Sequence, residues 1–449
     1  MKNNNSKSSG IVAGEVRASQ VIWTFGPGSL IDVKNLSVVA LGLQDWEKMD
    51  WWMKSREVII EPRLLSQVQR VVGRHVKALY RPPIAQEFNR TTRADHEGMP
   101  VSVFPRWFRC RSCNLLGSID IGSSFVVEGK TPDGLRVVHK NCGQNKLPRA
   151  RSPMAVPSRF LLACSAGHLS DFPWRAFVHD GRNDCTGRIK FYEVGASLQT
   201  ENLIVKCECG KAKSMAQAFG PGTWSKMKIK CDGVHPHFGS RATRNKCDAE
   251  LKTILLGASN SWFSKVLSTL VLPAECQKPR TGKGSEIVEL LDAAAEDLTD
   301  EEIHTLEDMK KVVGKRRFKA LSEEESGVAV EDLFKAWRAY SEDPEAFRAK
   351  FLEEESEEKE DVRVPEWRSF TSRNLPFREN EFEAESAEIP AGFEKFLSGV
   401  VLVRRLKEVR ALVGFTRLEA EDPTSGATDQ PSVVPLSVDK TPWVPAVEV

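Results

Sequence analysis

All ten cysteines of this 449-residue chain lie between Cys110 and Cys276, and none lies before or after that stretch. The first two form a C-x2-C knuckle, Cys110-Arg-Ser-Cys113, directly behind the aromatic Phe104-Pro-Arg-Trp-Phe108. An H-x2-C pair follows at His139 and Cys142. Two ligand pairs close in sequence, joined by a hairpin, are how a chain builds a tetrahedral zinc site. Cys110, Cys113, His139 and Cys142 are therefore the first expected ligand set, with Cys164 as an alternative to His139. Cys207, Cys209, Cys231 and Cys247 are the second expected set, on a C-x-C pair with two more distant partners. Four protein ligands leave no coordination position for chemistry, so the reading is one or two structural Zn2+ ions. Cys185 and Cys276 receive no assignment.

Metal is preferred to disulfides because the chain shows no export signal. Residues 1–10 are polar and charged, without the apolar stretch of a secretory leader. No apolar run reaches the roughly 18 residues of a membrane span. The expected compartment is the cytoplasm, where thiols stay reduced. Cys164, His168 and Asp171, in Cys164-Ser-Ala-Gly-His168-Leu-Ser-Asp171, offer a second reading as a thiol- or zinc-dependent hydrolase or nuclease. A C-x3-H spacing puts both side chains on one short turn, which suits ligands or a packed loop better. A catalytic cysteine usually takes its histidine from elsewhere in the fold.

The net charge is only +2, so any contact with nucleic acid rests on local patches. Residues 45–97 read as helical and basic, with Arg70 and Arg74 on one helix face and Arg81-Pro-Pro83 ending the helix. Arg149, Arg151 and Arg159 form a second basic stretch. Lys226, Lys228 and Lys230 alternate with Met227 and Ile229, which on a strand places the lysines on one face. All eight are candidates for phosphate contact; the plainer reading is a solvated surface. The turn Phe25-Gly-Pro-Gly-Ser29 could nest an anion, but no lysine follows it, and a structural turn is preferred.

The pattern implies an α+β, multidomain chain: a zinc-stapled mixed β platform with a helical insertion. The expected parts are a disordered tail (1–14), an N-terminal α/β segment (15–104), the cysteine-rich domain (105–276), an acidic helical subdomain (285–362) and a C-terminal α/β segment (363–449). The helical part follows from Ile287, Leu290, Leu291 and Ala294, then Val330, Leu333, Phe334 and Trp337, at helical spacing. A capping box is expected at Thr299–Glu302, a linker at 277–284 and a solvated acidic block at 353–361. Residues 397–403 read as a buried strand, 404–417 as a basic amphipathic segment and 441–449 as a strand. That last strand suggests a chain continuing past Val449 or pairing with something else.

Several of these stretches resemble the DrmB family, a component of the DISARM anti-phage defence system of bacteria. They are Arg17-Ala-Ser-Gln20 with Phe25-Gly-Pro-Gly-Ser-Leu30, Phe104–Phe108 with Cys110 and Cys113, and Phe160 to Trp174. Gly257-Ala-Ser-Asn260 and Arg405 to Arg417 complete the match. The resemblance implies a non-catalytic accessory protein that assembles with a DrmA-type helicase and binds DNA of single-stranded character. No G-x4-G-K-[ST] occurs, in keeping with a chain that has no ATPase motor. The His139–Cys142 pair comes from spacing, not from the resemblance. Family members usually extend through a further C-terminal region.

Overall fold

The computed structural model describes residues 16–84, 98–120, 122–129, 134–144, 152–194, 199–272, 290–295, 297–298, 303–322, 330–345, 347, 362–371, 375–378, 382–421 and 430–449. The expected tail, the 277–284 linker, the Thr299–Glu302 box, the 353–361 block, Arg149, Arg151 and Cys276 lie outside them. The chain is mixed α+β and falls into two compact units. One comprises Met1–Ser268 and Glu408–Val449, the other Thr269–Lys407. Among the described residues no helix is long and apolar enough to cross a membrane.

The first unit joins chain segments that are far apart in sequence. Its five-stranded sheet runs in the order Phe263–Leu270, Glu408–Thr416, Trp443–Glu448, Ala78–Tyr80, Val58–Ile59. Trp443–Glu448 lies antiparallel to Glu408–Thr416 and parallel to Ala78–Tyr80, so this strand has a partner on each side. Glu408–Thr416 is buried along most of its length, because helices Ala18–Trp23 and Pro62–Val71 pack over it. Residues 408–416 of the expected amphipathic segment therefore form an interior strand. The core here is aromatic: Trp52 and Trp443 have ring centroids 4.9 Å apart, with Trp46 6.0 Å from Trp443.

Two basic readings change with the backbone. Pro62 opens the helix Pro62–Val71, with Glu61 accepting from the Arg63 N–H at 3.3 Å. The helix ends at Val71, and Gly73 follows at φ +131. Arg74 lies beyond that break and shares no helix face with Arg70. Lys226 closes the short helix Thr223–Lys226, and Lys228 takes a left-handed φ of 57. Lys226, Lys228 and Lys230 are thus on a turn, not a strand. Their alternation is real, since Met227 and Ile229 pack against the core while the lysines stay exposed. A helical turn followed by a left-handed residue imitates the strand period.

Three further sheets of this unit position the cysteines. A five-stranded sheet runs Leu116–Ser118, Trp107–Cys110, Met154–Pro157, Arg136–His139, Phe125–Glu128. Phe160–Cys164 is the middle of a three-stranded sheet between Leu169–Asp171 and Leu251–Leu255. A third sheet runs Ile189–Glu193, Leu203–Cys207, Ala212–Ser214. Phe160, Phe172, Trp174, Phe177 and Trp224 fill the core that the last two share.

The second unit is built on helices Leu306–Val313 and Val330–Glu342. Thr305 caps the first: its hydroxyl accepts from the Asp308 N–H at 3.2 Å, and Asp308 accepts from the Thr305 N–H at 2.9 Å. Met309, Val312, Leu333, Trp337 and Tyr340 make the core. A three-stranded sheet runs Phe377–Arg378, Phe382–Ala387, Val400–Leu406. The expected buried strand at 397–403 instead starts at Val400, and residues 402–406 are exposed. A branched run favours extended backbone but does not say that both faces are covered.

Candidate metal centres

The described cysteines are all free, and with three histidines they gather into three tetrads. In each tetrad the four ligand atoms lie within 4.8 Å of one another. The Cys164–Cys247, Cys185–Cys207 and Cys164–Cys231 sulfurs lie 3.7–3.9 Å apart, far outside bonding distance.

The first tetrad is Cys110, Cys113, His139 and Cys142. Strand Met154–Pro157 aligns it: Ala155 pairs with Cys110 on one side and with Val137 on the other. Both knuckles therefore leave the sheet at the same end. Asn114 and Asn141, at φ 60 and 57, turn the backbone at each knuckle. The Ser112 N–H points at Cys110 Sγ from 3.4 Å, and His139 Nδ1 lies 3.4 Å from Cys113 Sγ. The Phe125 ring stacks on His139 with centroids 4.8 Å apart and fixes the imidazole plane. Cys164 is not part of this group.

The second tetrad is Cys164, His168, Cys231 and Cys247. Cys164 ends its strand, and Gly167, at φ +76, folds the turn so that His168 returns to 3.4 Å from the sulfur. Cys231 and Cys247 face each other across an antiparallel bridge. Gly233 makes that bridge possible, since a Cβ there would sit 1.8 Å from the Asn245 carbonyl oxygen.

The third tetrad is His179, Cys185, Cys207 and Cys209. His179 follows the helix Trp174–Val178, and its Nδ1–H donates to the Arg175 carbonyl at 2.8 Å. That bond leaves Nε2 with its lone pair, 3.3 Å from Cys209 Sγ. Arg175 also donates to the carbonyls of Cys185 and Gly187, bracing the loop that carries Cys185. Gly187 is required there, because a Cβ would meet Cys207 Sγ at 2.8 Å.

The expected second set is thus divided. Cys207 and Cys209 belong with His179 and Cys185, and Cys231 and Cys247 with Cys164 and His168. The sets are nested: all four ligands of the third tetrad lie in sequence between His168 and Cys231. Reading neighbouring cysteines as partners joins halves of two sites. The missing signal was the pair His179-x5-Cys185, which with Cys164-x3-His168 supplies the two leftover halves.

Without an ion, each tetrad divides its protons unequally. The hydrogen bond from Cys231, helped by His168, holds the Cys164 thiol down at about 4, and Cys231 is pushed up in return. The Lys211 backbone N–H and then His179 lower Cys209 to about 6. Burial pushes Cys113 up to about 12. Three sulfurs and one imidazole make a donor set that could hold a metal ion with no position left open. Asp171 takes no part: its Oδ1 accepts from the backbone N–H groups of Arg106 at 2.9 Å and Trp107 at 3.3 Å. Close to the second tetrad, burial draws the Arg417 guanidinium down to about 9, and the Cys164 thiolate pushes it back up.

Arg70, Arg74, Arg159, Lys226, Lys228 and Lys230 are all exposed in the first unit, with only the three lysines sharing one turn. Lys230 pairs with Asp248 at 3.0 Å. The charges are segregated by unit. Residues 269–407 hold 22 of the chain's 64 Lys and Arg and 33 of its 62 Asp and Glu, a formal −11. The first unit therefore carries +13 within a net +2.

Comparison with known proteins adds two findings. The family described as "Domain of unknown function (DUF8724)" matches residues 17–263. The chain is also similar to the DISARM protein DrmB of Bacillus paralicheniformis, at 27% identity over 367 residues. That alignment covers 81% of this chain and 59% of the relative, so the chain spans about three-fifths of the relative's length. It supports the DrmB-family resemblance expected from the motifs.

Proposed function

The chain belongs to the DUF8724 family, and from that premise we propose that it is a non-catalytic component of a DISARM defence complex, held rigid by structural zinc. Its basic unit contacts DNA phosphates without reading sequence, and a DrmA-type helicase partner supplies ATP hydrolysis. The observation that carries this reading is the combination of three four-ligand Cys3His tetrads with a +13 excess in the same unit. Tetrads of this kind leave no position for a substrate, so their role is to staple short strands. Zn2+ is the ion that thiolate and imidazole donors in fours favour.

The test is fluorescence anisotropy of the purified chain on single-stranded DNA across a salt series. Affinity should fall with salt, with a slope of about 0.7 per phosphate neutralised. Lys226→Gln, Lys228→Gln and Lys230→Gln together should reduce that slope. A salt-independent curve, or no binding at low salt, would remove the DNA part of the proposal. Co-purification with a helicase encoded beside it tests the partner. The hydrolase reading of Cys164, His168 and Asp171 has one observation in its favour, His168 Nδ1 lying 3.4 Å from Cys164 Sγ. Nuclease activity lost in His168→Ala, with metal content otherwise intact, would favour it.

A further inference from the structure

Arg417 directly follows the interior strand Glu408–Thr416 and is 1% exposed. Its guanidinium donates from Nη2 to the Gly28 carbonyl at 2.7 Å, from Nε to the Gly167 carbonyl at 3.1 Å and from Nη1 to the Ser261 carbonyl. It also lies 4.8 Å over the Phe415 ring. Among the described residues no carboxylate pairs with it. A sealed cation is strongly disfavoured unless something offsets its charge, and carbonyl dipoles do so only in part.

The turn that Arg417 holds belongs to the second tetrad. Gly167 lies between the ligands Cys164 and His168, and its N–H donates to the Cys164 carbonyl at 2.9 Å. A Cβ at Gly167 would meet Val434 at 2.0 Å, so the turn has one way to sit. The His235 and His168 ring centroids lie 4.4 Å apart. Three thiolates and a neutral imidazole around a divalent ion carry one net negative charge.

We propose that Arg417 is a positioning residue for the second tetrad: it supplies the positive charge that a loaded centre lacks and fixes the Cys164–His168 turn in ligating geometry. The inference rests on the reading that this tetrad holds a divalent ion. It makes ion loading and the packing of the Gly28, Gly167 and Ser261 segments interdependent, because one guanidinium serves both.

The experiment measures zinc per chain, zinc release to a colorimetric chelator and thermal unfolding. It compares the full chain with Arg417→Met, which removes the charge, and Arg417→Lys, which keeps it. Each is made alone and with Cys231→Ser, which disables the second tetrad. The starting protein should carry three ions, one per tetrad, and Cys231→Ser two. Arg417→Met should speed release of one ion by about 10- to 100-fold, with a smaller acceleration in Arg417→Lys. With Cys231→Ser in place, Arg417→Met should leave release of the remaining ions unchanged, and its loss of thermal stability should shrink. If Arg417→Met lowers stability equally in both backgrounds and leaves every release phase unchanged, Arg417 is a hydrogen-bonded strut and the proposal is overturned. Should Arg417→Met fail to fold, Arg417→Lys decides alone: one faster phase supports the proposal, and none overturns it. An ion count unaltered by Cys231→Ser would instead sink the metal reading of the tetrad, and the proposal with it.

Discussion

The two units solve the same problem by different means. Around the tetrads the strands are three to five residues long, such as Leu116–Ser118, Arg136–His139 and Phe160–Cys164. Pieces so short gain little from pairing alone. In the second unit the 13-residue helix Val330–Glu342 lays Leu333, Trp337 and Tyr340 along one side and buries them against Met309 and Val312. That core closes through local periodicity and apolar area. The first unit is basic and gathers its cysteines and histidines into three tetrads that could hold metal ions; the second is acidic and held by packing. Stability that comes from ligands should be removable by a chelator, and stability that comes from packing should not.

Chelation should produce the largest effect. A structural zinc contributes on the order of 10 kcal/mol or more to folding at neutral pH. Removing the ions should expose the amides of Phe160–Cys164 and Leu203–Cys207 to hydrogen exchange while Leu306–Val313 and Val330–Glu342 stay protected. Equal loss of protection in both units would break the comparison. The converse is Leu333→Ala, at a side chain that is 0% exposed. It should cost the second unit about 2–5 kcal/mol and leave zinc per chain unchanged, as judged by urea unfolding and elemental analysis. Lost zinc in that variant would show that the units do not stand apart energetically.

The same contrast governs what the sequence made legible. The stripe at Leu333 and Trp337 could be read because its partners are three to four residues apart. The first tetrad could be read because each half is a tight knuckle and one hairpin separates them. The other two are nested, and no spacing rule says that Cys231 reaches back past four intervening ligands to Cys164. The fold supplies that link: Phe160–Cys164 pairs with Leu251–Leu255, with Cys164 opposite Leu251, four residues from Cys247. Arg417 was equally hidden. The stretches around Gly28, Cys164, Ser261 and Arg417 looked like separate motifs, yet three of them meet the guanidinium of the fourth. The lysine alternation at 226–230 failed for a local reason, one left-handed residue at Lys228.

A smaller effect separates the units by how each holds a carboxylate away from bulk water, Glu366 buried and Asp171 half-buried. In the second unit Glu366 has the Arg363 guanidinium at 2.7 Å and the Leu270 N–H at 2.7 Å. In the first, Asp171 has two backbone N–H donors, while the Arg106 side chain is engaged by Asp120. Burial outweighs those donors and pushes the Asp171 carboxyl from 3.8 up to about 6. A carboxyl raised on folding stabilises the native state fully below its unfolded value, and that contribution is lost as pH rises through 6. Asp171 should therefore weaken the first unit at neutral pH relative to pH 5. Asp171→Asn keeps an oxygen to accept from Arg106 and Trp107 and removes the charge. It should gain on the order of 2 kcal/mol at pH 7.5 and progressively less toward pH 5. Urea midpoints of the two proteins from pH 5 to 8, with zinc held constant, give the answer. A gain that is flat with pH, or that grows on acidification, would mean that the carboxylate is stabilised in place, and that the first unit holds Asp171 as securely as the second holds Glu366.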